Sequence, residues 1–269
     1  MTGNFPKLLI FGCGNMGGAM LRGWLAAGVA PERFVVVDPA SPELPEGVAL
    51  YRSKAEVEET FGAILLGIKP QMLSSLAPDI VPLLARGALV VSILAGSPTG
   101  ALSSYFTGAR IVRLMPNLAA AIGKSPLGLF SANLDDAARS DVENLLSGLG
   151  TPIWLEDEAQ MDAVTALAGS GPAFVYRFVD ALTHGGAAMG LPPTVAARMA
   201  LAMAEGAVAL AAASPESPAK LAARVTSAGG TTAAGLAVLD HEKALQGLIE
   251  ETLRAARDRG AELAKGEPS

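Results

Sequence analysis

KLLIFGCGNMGGAMLRGWLAAG, residues 7–28, decides the architecture of the amino-terminal half. Four apolar residues, Leu8 to Phe11, run into glycines at Gly12, Gly14 and Gly17, after which apolar positions recur at helical spacing. Strand before and helix after are the context in which GxGxxG predicts a dinucleotide site. The first glycine permits a tight turn, the second lets the backbone approach a pyrophosphate, and the third lets helix and strand pack closely. The N–H groups of the helix start then face the phosphates. Gly12, Gly14, Asn15, Met16 and Gly17 are the expected cofactor loop.

Further apolar runs follow: RFVVVD, AILLGI, ALVVSIL, ARIVRL, PLGLF and PIWL. Strands alternating with amphipathic stretches mean βαβ units, and consecutive apolar positions fit strands buried on both faces of a mainly parallel sheet. Residues 1–155 are thus expected to be an α/β Rossmann-type domain, with the later runs at a sheet edge and in another direction. The second strand ends at Asp38, 26 residues after Gly12, a little beyond the usual interval of about 20 to an acidic ribose ligand. Asp38 has two readings: acceptor for a ribose 2′-OH, favouring NADH over NADPH, or the start of an Asp-Pro turn. Two more loops follow strand ends, where ligands of open α/β sheets collect. One holds Ile68, Lys69 and Pro70; the other holds Met115, Pro116 and Asn117, whose amide can give and accept a hydrogen bond with a carboxamide. Both also read as ordinary strand-to-helix turns.

After Trp154 the chain turns to long alanine-, leucine- and methionine-rich stretches broken at Gly171-Pro172, Gly190 to Pro193 and Ser214 to Pro218. Proline just inside a helix start and glycine just past a helix end explain those breaks, so residues 156–269 are expected to form an all-α domain. From Pro193 to Ala213 the polar side chains are Thr194, Arg198 and Glu205, too few to solvate a face. That helix is expected to pack on a second subunit, or alternatively to form the centre of a monomeric bundle. Its most apolar part, Met199–Ala213, is short for a membrane span and reads as buried.

Composition narrows the function. Of 269 residues, 51% are hydrophobic and 17% charged, which fits surface hidden between subunits of a self-associating enzyme. A net charge of −6 without a Lys/Arg run argues against nucleic acid. Cys13 is the one cysteine, so no intramolecular disulfide forms, and with no signal-peptide pattern the cytoplasm is expected. The two histidines, His184 and His241, have no cysteine neighbours, and no metal site is expected.

These blocks together resemble pyrroline-5-carboxylate reductases over nearly the whole chain. The resemblance is carried by Ile68-Lys69-Pro70, by Met115-Pro116-Asn117, by VTALAGSGPAF at 164–174 and by Met189-Gly190-Leu191-Pro192. Its most specific block is VTSAGGTTAAGL at 225–236. It implies hydride transfer from NADH or NADPH to the C=N bond of 1-pyrroline-5-carboxylate, giving proline, by a chain that dimerises through its helical domain and can assemble further into a decameric ring. Such a reduction of an iminium needs no metal and no strong base. It does need the substrate carboxylate held in place. Ser227 to Thr232, opening a helical run, offers free N–H groups beside glycines for that purpose. The alternative for the same block is a helix start capped by Ser227.

By resemblance Val225, Ser227, Gly229, Gly230, Thr231 and Thr232 line the substrate pocket, with the Thr232 hydroxyl near the ring nitrogen as the catalytic group. Ser53 matches a second contact on the adenosine side. The chain departs from the family pattern at Leu118 and Ala119, where threonine and proline are usual, and at Asp38, where a small polar residue is common. Three rival readings remain. A six-membered or sulfur-containing imine would differ by little binding energy. A β-hydroxyacid dehydrogenase would need a lysine in the helix after the sheet domain, yet none occurs between Lys124 and Lys220. A non-catalytic NAD-binding module would have no use for Gly229, Gly230 and Thr232 together.

Overall fold

The computed structural model describes residues 5–264. Its backbone forms two compact units, one comprising the chain up to Gly169 together with the part from Ala256 on, the other Ser170–Ala255. The change from strands to helices thus precedes the unit border, since the last strand ends at Trp154.

In the first unit, β1 (Leu8–Phe11), β2 (Phe34–Val37), β3 (Ala49–Tyr51), β4 (Phe61–Leu66), β5 (Leu84–Ser92), β6 (Arg110–Met115), β7 (Ser125–Phe130) and β8 (Gly150–Trp154) make one sheet. Its order is β3-β2-β1-β4-β5-β6-β7-β8. The first six are mutually parallel, β7 runs antiparallel to β6, and β8 follows β7. The reversed edge pair is the change of direction expected from the sequence. Seven strands correspond to the apolar runs; β3 is the one not read, being three half-buried residues at the opposite edge.

Alternate residues of β1 serve different cores. Leu8 and Ile10 pack with Met20, Trp24, Phe34 and Leu145, whereas Leu9 and Phe11 pack with Val35, Ile80, Leu102 and Phe106. The sheet is therefore covered on both faces: α1 (Asn15–Ala26) supplies residues to the first core, and α2 (Leu73–Ile80) and α3 (Thr99–Tyr105) supply the second. A strand buried on both sides has no polar face to alternate, which is why these runs are continuously apolar. On the first face α4 (Asp136–Leu146) also packs, and the buried Trp24 Nε1–H donates to the Leu145 carbonyl at 2.7 Å, satisfying a polar atom that burial would otherwise penalise. A short α5 (Met161–Val164) passes into one π-helical turn, Thr165–Gly169.

In the second unit α6 (Gly171–Ala188), α7 (Pro193–Ala213), α8 (Pro218–Arg224), α9 (Thr231–Leu239) and the first part of α10 (Ala244–Ala264) follow in turn. Proline opens α7 and α8 at their first position, as the breaks predicted. Helices α6 and α7 meet where Gly186 faces Ala196; a Cβ on the glycine would lie 3.2 Å from that of the alanine. The expectation that Met199–Ala213 is buried and short needs correction. The helix begins at Pro193, is 21 residues long, and is apolar and long enough to cross a membrane. Only Ala196 and Ala200 of it are buried within the chain, leaving Met199, Leu201, Met203, Val208 and Leu210 exposed. An uncovered apolar face of that extent calls for a partner surface.

Candidate active site

The glycine loop has the geometry its spacing implies. Gly12 adopts φ +91°, and a Cβ there would lie 2.8 Å from the Gly67 carbonyl carbon, so two backbones touch where β1 and β4 end. A Cβ on Gly17 would come 2.8 Å from the Gly12 oxygen, which is the close helix–strand packing assigned to the third glycine. Gly14 differs: its Cβ would meet nothing within 4 Å. Open space at the second glycine is a cradle that a ligand can fill. Gly14 caps α1 without any side-chain hydrogen bond, and the first helical bond is Gly18 N–H to the Gly14 carbonyl at 2.8 Å. The N–H groups of Asn15, Met16 and Gly17 are left without intrahelical partners. These features fit a bound pyrophosphate.

Beside the loop lies a cavity of about 590 Å³, bounded by Gly14, Asn15, Arg22, Asp38, Glu43 and neighbouring residues. Asp38 closes the turn that its Asp-Pro sequence suggests and also borders the cavity. Its Oδ1 accepts from Ala40 N–H at 2.8 Å, closing the Asp-Pro turn, while its Oδ2 accepts from Cys13 N–H at 2.7 Å. Each oxygen keeps a further lone pair directed elsewhere. Burial pushes the Cys13 thiol up to about 11; Asp38 adds to the rise and Arg22 opposes it. The thiol stays neutral at pH 7 and puts no extra anion beside the glycine loop.

Other expected cofactor residues sit in different surroundings. Ile68 adjoins Gly12 across the β1–β4 contact, and Lys69 is exposed before a 3-10 turn that Pro70 opens. Ser53 does not border the cavity. It caps the turn Lys54–Glu56, accepting from Ala55 N–H at 3.2 Å, while Glu56 accepts from its N–H at 3.0 Å. Met115 is buried at the end of β6, near Gly169.

Asn117 accepts from Ala119 N–H at 2.9 Å and donates one Nδ2–H to the Ala168 carbonyl at 3.0 Å, which leaves its amide one further N–H and one further lone pair. It is 6% exposed. The amide therefore ties the β6 loop to the π-helical turn, where a carbonyl lacks its usual helical donor.

Sequence reading missed a second polar group near β6. Arg113, 8% exposed at the side chain, donates to Glu158 Oε1 at 2.9 Å. Glu158 also accepts from Thr99 N–H at 2.7 Å and from the Thr99 hydroxyl at 2.9 Å, capping α3 from 59 positions away. Burial works against the Glu158 anion, but the Thr99 and Arg113 hydrogen bonds outweigh it and its pKa lies below the ordinary glutamate value. No local spacing announces such a cap. Arg22 was missed as well, although its place four residues after Gly18 puts both on one helix face.

In the second unit the expected substrate residues form one loop and helix start. Val225 is 70% exposed just after α8, and Gly229 adopts φ +68°. Helix α9 begins at Thr231 rather than at Ser227: the cap is Gly230, with no side-chain hydrogen bond. Ser227 instead accepts the Gly230 N–H through its carbonyl at 3.0 Å, and its hydroxyl occupies the space a Gly230 Cβ would need. Because the first helical bond is Ala234 N–H to Gly230 at 3.1 Å, Thr231, Thr232 and Ala233 keep unpaired N–H groups. Thr231 and Thr232 are exposed there.

Comparison with known proteins agrees with this layout. Residues 158–263 match the family model described as pyrroline-5-carboxylate reductase dimerisation, and 7–96 match that of NADP oxidoreductase, coenzyme F420-dependent. A pyrroline-5-carboxylate reductase of Pseudomonas aeruginosa is 35% identical over 267 residues, covering 97% of each chain. The solved pyrroline-5-carboxylate reductase of Coxiella burnetii is 27% identical with a TM-score of 0.88, covering 99% of this chain and 100% of that one. A Plasmodium falciparum pyrroline carboxylate reductase with NADP bound is 25% identical with a TM-score of 0.83, covering 98% and 99%. The glycine cradle, the uncapped helix start at Gly230 and full-length similarity converge: this chain belongs to the pyrroline-5-carboxylate reductase family.

Proposed function

We propose that this chain reduces 1-pyrroline-5-carboxylate to L-proline with NADH or NADPH. The observation that carries the reading is a pair of helix starts without side-chain caps in a member of this family, Gly14–Gly17 opening α1 and Gly230–Ala233 opening α9. Each suits one anion. When bound, the dinucleotide supplies the hydride. Gly12, Gly14, Asn15, Met16 and Gly17 would hold its phosphates, Asp38 would accept from its ribose, and Ile68, Lys69, Pro70 and Met115 would lie along it, while Ser53, outside the cavity, shapes the Lys54–Glu56 turn. Asn117 acts as a positioning residue through its bond to Ala168.

The N–H groups of Thr231 to Ala233 hold the substrate carboxylate, with Val225, Ser227, Gly229 and Gly230 shaping the loop. The Thr232 hydroxyl hydrogen-bonds the ring nitrogen and raises the electrophilicity of the adjoining carbon. The functional division follows the change of element type, residues 1–155 for cofactor and 156–269 for substrate and dimerisation. Asp38 favours NADH, since its fixed anion accepts from a 2′-OH and repels a 2′-phosphate. The exposed face of α7 pairs with a second copy, supported by the dimerisation match across it. By the family resemblance, such dimers can assemble further into a ring such as a decamer, in the cytoplasm.

Loss of NADH absorbance on adding pyrroline-5-carboxylate, with proline as product, is the direct test. Silence with that substrate and turnover of a six-membered imino acid would replace it as the substrate. Light scattering of the wild type and of Leu201→Glu measures assembly; a wild-type monomer would remove the pairing.

A further inference from the structure

The cavity beside the phosphate loop contains a cation that the binding of NADH does not require. Arg22 lies on the outer face of α1, with its Nη1 3.3 Å from the position a Gly18 Cβ would take, so the bare Gly18 lets the guanidinium lie along the helix. It borders the same cavity as Asp38 and Glu43. Among the described residues Arg22 makes no ion pair and no side-chain hydrogen bond.

Asp38 marks where a ribose 2′-OH is accepted on the reading above, and the cavity continues from there along α1 to Arg22. We propose that Arg22 is the counter-ion that a nucleotide 2′-phosphate meets in this cavity, offsetting the repulsion from Asp38 and so setting how far NADPH can compete with NADH. The inference rests on the proposed dinucleotide site. A 2′-phosphate carries close to two negative charges at pH 7 and would otherwise meet only Asp38 and Glu43 in this space. A guanidinium fork matches phosphate oxygens in two parallel hydrogen bonds, which a lysine cannot reproduce. Arg22 is exposed, so its contribution is screened by salt.

The test compares binding of adenosine 2′,5′-bisphosphate and of 5′-AMP by calorimetry, for the full chain and for Arg22→Gln and Arg22→Lys. The ratio of the two affinities should fall about tenfold or more in Arg22→Gln and by less in Arg22→Lys. In the wild type that ratio should also shrink as ionic strength rises. Parallel steady-state assays should show the NADPH-to-NADH ratio of kcat/KM falling by a similar factor, chiefly through KM. An unchanged ratio in Arg22→Gln, or an equal loss for both nucleotides, would overturn the proposal and put Arg22 on a phosphate common to both. Nucleotide binding is read without imine turnover, so failure to reduce pyrroline-5-carboxylate would count against the substrate and leave this result standing.

Discussion

Asn117 and Ala168 are joined by a 3.0 Å hydrogen bond that links the loop after β6 to the π-helical turn preceding Ser170. The same side chain caps the turn Leu118–Ile122. Asn117→Ala should therefore cost about 1–3 kcal/mol of stability, because it strands a carbonyl and an N–H together. Urea denaturation measures it. A loss below about 0.5 kcal/mol would show that water replaces the amide at both ends.

Gly12→Ala and Gly14→Ala should fail in different ways. At Gly12 the positive φ and the Gly67 backbone oppose a Cβ, and destabilisation of about 2–4 kcal/mol is expected. At Gly14, with φ −71° and open space, alanine should leave the melting temperature within a few degrees yet weaken NADH binding about tenfold or more. Thermal melts and NADH fluorescence titration separate the two. Unaltered NADH affinity in folded Gly14→Ala would remove the cradle.

Thr232→Ala should lower kcat on the order of a hundredfold while changing the NADH dissociation constant little, and Thr232→Ser should restore much of the rate. Equal losses in turnover and cofactor binding would contradict its place at the substrate.

Glu158 supplies a pH-dependent term. Its folded-state pKa lies below the ordinary value, so the stabilisation is present above about pH 4.5 and is lost as pH falls through the folded pKa. Glu158→Gln should cost about 2 kcal/mol at pH 7, since Arg113 loses its charged partner and Thr99 a strong acceptor. The variant should lose less stability than the wild type between pH 5 and pH 3 on the acid side. Parallel acid unfolding curves would refute the assignment.

Local patterns carried much of this molecule. The run from Leu8 to Gly18 announced strand, turn and helix because its glycines stand at fixed spacing between an apolar run and a helical pattern, although the close approach at Gly12 is to Gly67 on another strand, and continuously apolar runs announced a sheet covered twice. The three-residue β3 escaped because so short an edge strand has no periodicity to read. At the other candidate site the glycines at Gly229 and Gly230 were legible, but the helix start was not: hydroxyls at Ser227, Thr231 and Thr232 all resemble caps, and the backbone chose Gly230.

By itself the amino-acid order determined the element types, the glycine loop and the family motifs, since those depend on the pattern of residues close along the chain. The tertiary structure alone decided that Glu158 caps α3, that Asn117 spends its amide on Ala168, and that Arg22 shares a cavity with Asp38. Partners tens of residues apart, or on separate elements, leave no trace in spacing; they are selected when the sheet closes and buried polar atoms take whichever donor or acceptor the packing brings within reach.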